Sequence, residues 1–156
     1  MKLLSIKSSI LQPAYSLLPS KMQSVAADYM LLTIGQQESG FLFNRQIHGP
    51  ARGYWQFERG GVGGVLKHSA SKAYAKAVCE ARGVQPTMDA VYEALENDDV
   101  LAAAFARLLL WTDIQALPAV GDVNSSWNTY VRTWRPGKPK RKTWPIFYAN
   151  TQEALV

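Results

Sequence analysis

The stretch "DDVLAAAFARLLLW", Asp98 to Trp111, constrains this chain more than any other. Two acids suited to a helix start are followed by residues that are apolar on nearly every face, interrupted only by Arg107. A helix of this kind has no side to give to water, so it belongs in the middle of a core with other elements on every flank. It is too short to cross a bilayer, which takes roughly 20 apolar residues. The remaining chain has to wrap it. At 156 residues the length is that of one ordinary domain, able to bury a core without staples. The single cysteine, Cys79, excludes an intrachain disulfide and reads as a small buried thiol rather than a nucleophile.

The flanking segments read as helices. From Ser20 to Gly40, apolar residues recur at threes and fours (Met22, Val25, Ala26, Tyr29, Leu32), with Ser20 as a cap and Gly40 as a stop. "SASKAYAKAVCEARG" ends at Gly83, and "TMDAVYEALEN" begins at Thr87. "VNSSWNTYVRTWR" stops at Pro136-Gly137, and "KTWPIFYANTQEALV" follows, helical after Pro145. Phe41 to Gly64 is rich in glycine and reads as loop. Residues 1–20, punctuated by Pro13 and Pro19, read as an N-terminal arm of weak local order, leaving residues 21–156 as the domain. No alternating strand pattern, fixed-period repeat or linker is present. The expectation is a mostly α, single-domain protein.

The net charge of +5 and a pI near 9.4 point to an anionic partner. The charge is uneven: Val123 to Trp144 carries six Lys or Arg and no acid. Within it, "YVRTWRPGKPKRKTW" interleaves basic and aromatic residues, a composition that could grip an anionic cell wall or nucleic acid. The first residues are too broken by Lys7, Ser8, Ser9, Gln12 and Pro13 for a secretory signal. The expectation is a protein that stays cytoplasmic until released to the periplasm or cell wall, or that travels in a phage virion.

Three places could carry chemistry. Glu38 stands near the C-terminal end of its helix, beside apolar and aromatic residues. Poor solvation and the helix dipole both oppose its charge there, which suits a general acid. "RGGVGGVLK", from Arg59, is rich in glycine but lacks the spacing and preceding strand of a phosphate-binding loop, and reads as a flexible loop. His48 and His68 have no partner at metal-ligand spacing, so no metal or other cofactor is expected.

Glu38-Ser39-Gly40-Phe41, then Ala51-Arg52-Gly53-Tyr54-Trp55-Gln56-Phe57, then Ser126-Trp127-Asn128 resemble, in order and spacing, three motifs of the lytic transglycosylases with a soluble-lytic-transglycosylase (goose-lysozyme-like) domain. That family reads Glu-Ser, then Ala-x-Gly-Leu-Met-Gln-Ile/Leu, then Ala-Tyr-Asn. Here Tyr54-Trp55 replaces Leu-Met, Trp127 replaces Tyr, and Thr129 follows Asn128 where the family has Gly.

The resemblance implies a lysozyme-like fold with a cleft between helical lobes. It implies cleavage of the bond between N-acetylmuramic acid and N-acetylglucosamine in bacterial peptidoglycan, as by a phage-type murein-degrading protein. One Glu serves as acid and then as base, and the product carries a 1,6-anhydro ring. By the same resemblance Glu38 is catalytic, Gln56 and Asn128 hold sugar amides and hydroxyls, Tyr54, Trp55 and Trp127 face sugar rings, and Ser39 orients Glu38. The basic segment then grips the wall in preference to nucleic acid. Two alternatives stay open. One is a hydrolytic muramidase of similar fold, with Glu58 activating water. The other is a catalytically silent virion component that binds wall or nucleic acid.

Overall fold

In the computed structural model, which describes residues 2–156, helix α7 (Asp99–Trp111) lies where its apolarity requires. Every residue from Leu101 to Leu108 is buried. Asp98 starts the helix by accepting a hydrogen bond from the Leu101 N–H at 3.0 Å. The helix ends at Trp111, short of the "DIQAL" stretch, which is loop.

Six further helices and a helical N-terminal segment surround α7. The N-terminal segment is α1 (Leu3–Ile6), a π-helical turn over Lys7–Leu11, and α2 (Gln12–Ser16). It packs on α7 with Ile6, Ile10, Leu11, Ala14 and Tyr15 buried. The expected weakly ordered arm is therefore part of the core. Pro13 has no N–H to return to the preceding turn, and the helix passes it by widening there rather than by stopping.

Helix α3 (Val25–Ser39) starts at Ser24, whose Oγ accepts from the Ala27 N–H at 3.0 Å, while Ser20–Met22 forms a separate 3-10 turn. Helix α4 (Arg59–Lys67) occupies the glycine-rich stretch expected to be loop. Val62 and Val65 lie three apart on one face, fully buried, and their burial offsets the cost of glycine in a helix. Helices α5 (Lys72–Arg82) and α6 (Met88–Ala94) follow, the first stopped by Gly83 in the left-handed region and the second capped by Thr87. α4 and α5 pack on α7, and α6 packs on α4.

Helix α8 (Val123–Trp134) lies against α7 and α3, and α9 (Trp144–Leu155) lies along α3. A polar seam joins the last two. Thr33 and Thr151 hydroxyls meet at 3.0 Å, and the Gln36 amide donates to Thr151 Oγ1 at 2.9 Å and to the Phe147 carbonyl at 3.1 Å. These buried polar groups satisfy one another, which fixes the register of the two helices. Among the described residues there is no strand, only isolated bridges that tie Arg52 to Arg45 and Phe57. No described helix is long and apolar enough to cross a membrane.

Candidate functional site

Glu38 is set by the way α3 ends. Gly40 takes a φ of 64° and turns its N–H back onto the Gly35 and Gln36 carbonyls. The Glu38 carboxyl, two residues before this stop, is half-buried and faces α8. There the Tyr130 hydroxyl donates a hydrogen bond to Glu38 Oε2. Tyr130 is held in turn: its ring stacks on Trp144 with centroids 4.9 Å apart, and the Trp144 indole N–H donates to Ser126 Oγ at 3.0 Å. Glu38 Oε1 has no protein donor among the described residues.

Burial pushes the Glu38 carboxyl above the ordinary carboxylate range, the Tyr130 hydroxyl pulls it back in part, and the nearby Glu58 charge raises it further. The carboxyl opens on a cleft of about 310 Å³ with mostly polar walls, among them Gln37, Gln56, Glu58, Trp134, Arg135, Lys138 and Lys140. A larger hollow of about 590 Å³ lies beyond Trp134 and Arg135. Its only carboxyl, Asp113, is held below the ordinary range by Arg132, so it offers no acid.

The structure brings some of the sequence-derived candidates together and separates others. Gln56 shares the cleft with Glu38. Its backbone lies in the left-handed region, φ 54°, and its amide nitrogen donates to the Gly53 carbonyl at 2.9 Å, which leaves Oε1 to accept. Glu58 also lines the cleft and makes no ion pair among the described residues. Arg59 is engaged by Asp89 and Glu93, and Arg52 by the Gly49 and Ala51 carbonyls.

Trp55 is fully buried, with its indole donating to the Leu31 carbonyl at 2.9 Å, and serves the core rather than the cleft. Tyr54 packs edge-on against Phe41 and does not line the cleft. Ser39 Oγ donates to the Tyr54 carbonyl at 2.7 Å and accepts from the Phe41 N–H at 3.1 Å. It braces the loop after α3 and makes no bond to Glu38. Trp127 lies against Tyr130 and Trp144, with the Arg141 guanidinium 5.3 Å from its ring. Asn128 is exposed on α8, and two residues of helix place it about 200° around from Tyr130, away from Glu38.

Sequence reasoning missed Tyr130 as the partner of Glu38 and Trp134 as the aromatic wall. Trp134 is fixed by its indole N–H, which donates to the Trp55 carbonyl at 2.9 Å. The signal was present: Trp127, Tyr130 and Trp134 stand at i, i+3 and i+7, one aromatic stripe along α8. The basic segment reaches the site as well. Gln37 ties it down, donating to the Lys140 carbonyl at 3.1 Å and accepting from the Thr143 hydroxyl at 2.9 Å, which places Lys138 and Lys140 at the rim.

Elsewhere, burial pushes the Cys79 thiol up to about 11, which keeps it protonated and unreactive. Among the described residues no group of three or more His, Cys, Asp or Glu gathers to hold a metal ion. No family model, curated protein or solved structure matches this chain.

Proposed function

We propose that this protein cleaves the glycan strand of bacterial peptidoglycan as a lytic transglycosylase, on a lysozyme-like helical fold with Glu38 as its single acid and base. The observation that carries the reading is the Glu38 carboxyl itself: half-buried, raised above its ordinary range, bridged on one oxygen by Tyr130 and open on the other to a polar cleft.

A carboxyl that holds its proton more tightly than an ordinary carboxylate is suited to protonate a glycosidic oxygen. Once the proton is given, the Tyr130 hydroxyl stabilises the carboxylate through a charge-assisted bond. That carboxylate then takes the proton of the sugar's own 6-hydroxyl as the anhydro ring closes. The free oxygen of Gln56 can accept an acetamido N–H, and the fixed face of Trp134 can lie against a sugar ring. Lys138 and Lys140 complement the carboxylates that muramic acid and its peptides carry.

Glu58 favours a second reading. It is a carboxylate in the same cleft without an ion-pair partner, the arrangement in which a water can be activated for hydrolysis. The two readings differ in product. Mass spectrometry of digested murein should find muropeptides lighter by one water and non-reducing if the 6-hydroxyl attacks, and reducing muropeptides if Glu58 drives hydrolysis. In either case Glu38→Gln should lower activity by roughly two to four orders of magnitude with the fold intact. A well-folded Glu38→Gln protein that still cleaves murein would refute both readings. A wild-type protein that clears no murein gel would leave a silent wall-binding role.

A further inference from the structure

The glycan cleft leaves one buried charge unexplained. Arg107, on the central helix α7, is only 3% exposed. Its Nε donates to the Met22 carbonyl at 2.8 Å, but its Nη1 has no hydrogen-bond partner among the described residues. No carboxylate forms an ion pair with it among the described residues. A guanidinium presents five donors in a fixed fork, and burying it without a counter-charge is unfavourable.

Arg107 lines a hollow of about 400 Å³ on the face of the molecule formed by α7, the following loop and the start of α3. Two further features there favour an anion. Lys21 lines the same hollow, and its ammonium lies 5.2 Å from the centre of the Trp111 ring, which the Arg107 guanidinium approaches to 5.6 Å from its own position. Ser24, also in the wall, is the cap of the 15-residue helix α3. Its Oγ satisfies the Ala27 N–H, and the Asp28 N–H bonds the Ser24 carbonyl. The Val25 and Ala26 N–H groups come before the helical ladder begins and remain free to donate.

The acids nearby are already engaged. Asp113 lines the hollow but is gripped by Arg132 through two bonds of 3.0 and 2.8 Å. Asp28 accepts from the Tyr15 hydroxyl at 2.7 Å and pairs with Lys7. Apart from Gln115 the remaining wall is apolar: Leu110, Trp111, Ala116, Leu117 and Ile114, the last 96% exposed. An exposed isoleucine beside a buried unpaired arginine is a surface with an apolar half and a cationic half.

We propose that this hollow binds a small amphipathic anion, its carboxylate or phosphate head against Arg107, Lys21 and the start of α3, and its apolar body against Trp111, Ile114 and Leu117. The site is separate from the glycan cleft and does not depend on the function assigned to Glu38.

The test is a titration of the full chain with hexanoate, hexyl phosphate and hexanol, followed by 15N NMR at the Val25 and Ala26 amides and the Arg107 Nε–H. Hexanoate or hexyl phosphate should give saturable shifts at these signals with a dissociation constant of about 1 mM or tighter. Whichever binds more tightly names the head group. Lys21→Glu, at an exposed position, should weaken binding by roughly tenfold or more. Arg107→Met should abolish it. Replacing an unpaired buried charge by an apolar side chain is often tolerated, and if that variant does not fold, Lys21→Glu decides alone. No saturable shift from either anion up to about 20 mM, binding unchanged by the substitutions, or hexanol binding as tightly as the anions would each overturn the proposal.

Discussion

Tyr130→Phe isolates the contact on which the site depends. The substitution keeps the ring and its stack on Trp144 but removes the hydroxyl that donates to Glu38. A hydrogen bond to an ionised carboxylate contributes roughly 1.5–3 kcal/mol and one to a neutral group roughly 0.5–1.5 kcal/mol. The ionised form of Glu38 should therefore lose about 1–1.5 kcal/mol more than the protonated form, which is roughly a tenfold weaker acid. The sign is fixed by the structure: the Tyr130 bond lowers the Glu38 pKa, so its loss raises it. Glu58 acts in the opposite sense, and Glu58→Gln should make Glu38 a stronger acid. Carboxyl-13C labelling of the glutamates and an NMR pH titration read both directly, with no substrate involved. Titration of Glu38 unmoved by Tyr130→Phe, or moved the same way by both substitutions, would refute this account of its environment. In a murein-cleavage assay the same change should carry the alkaline limb of the pH profile upward, because the acid keeps its proton longer.

Three other perturbations follow from the same contacts. The folded-state pKa of Glu38 is raised, so its contribution to stability is full below the ordinary carboxylate range and is lost as pH rises through the folded pKa. Thermal melts of Glu38→Gln and wild type should thus diverge in favour of the variant as pH increases; a gap that narrows would contradict the burial argument. Ser39→Ala removes the bonds to the Tyr54 carbonyl and the Phe41 N–H, and urea unfolding should report a loss of about 1–2 kcal/mol, while the Glu38 titration stays in place because Ser39 does not touch it. Changing Lys138, Lys140 and Lys142 together to Gln should weaken retention on whole murein and flatten its salt dependence, and because Lys138 and Lys140 line the cleft it should raise KM for a short soluble glycan with kcat nearly unchanged. Arg141 is kept in that variant because it covers Trp127 and bonds Asn124 at 2.6 Å, so its loss would disturb the aromatic stack.

The helical architecture was legible wherever the deciding interactions are local. The apolarity of α7 put it at the centre, Asp98 and Thr87 cap as their side chains allow, and Gly40 and Gly83 stop helices where only a left-handed residue closes the turn. Reading failed where a local breaker was outvoted by packing. Pro13 and Pro19 suggested an arm, yet Ile6, Ile10, Leu11, Ala14 and Tyr15 lie within one apolar stripe that α7 had to cover. The glycines after Arg59 suggested a loop, at roughly 1 kcal/mol each against a helix. Burial of Val62 and Val65 between α6 and α7 outweighs that preference.

The site divides along a similar line. Glu38, Gln56 and Glu58 come from segments close in sequence, joined by one loop, and all three line one cleft, although Ser39, Tyr54 and Trp55 from the same motifs do not. The fourth contributor comes from α8, some ninety residues later, and there a match of residue types is not enough. Position along a helix fixes direction: a shift of two residues swings a side chain by about 200°. Asn128 had the right chemistry at the wrong phase, and Tyr130, at the phase that meets Glu38, had no place in the motif. Trp127 shares that phase with Tyr130 but stops at Arg141 and Trp144, one layer behind the cleft. The side chain that reaches an acid from a distant helix is decided by how α8 is rotated against α3, and that rotation is set by Trp144, buried beneath Tyr130 and bonded to Ser126. A motif can point to a candidate carboxyl, but the partner that tunes it is chosen by the packing underneath.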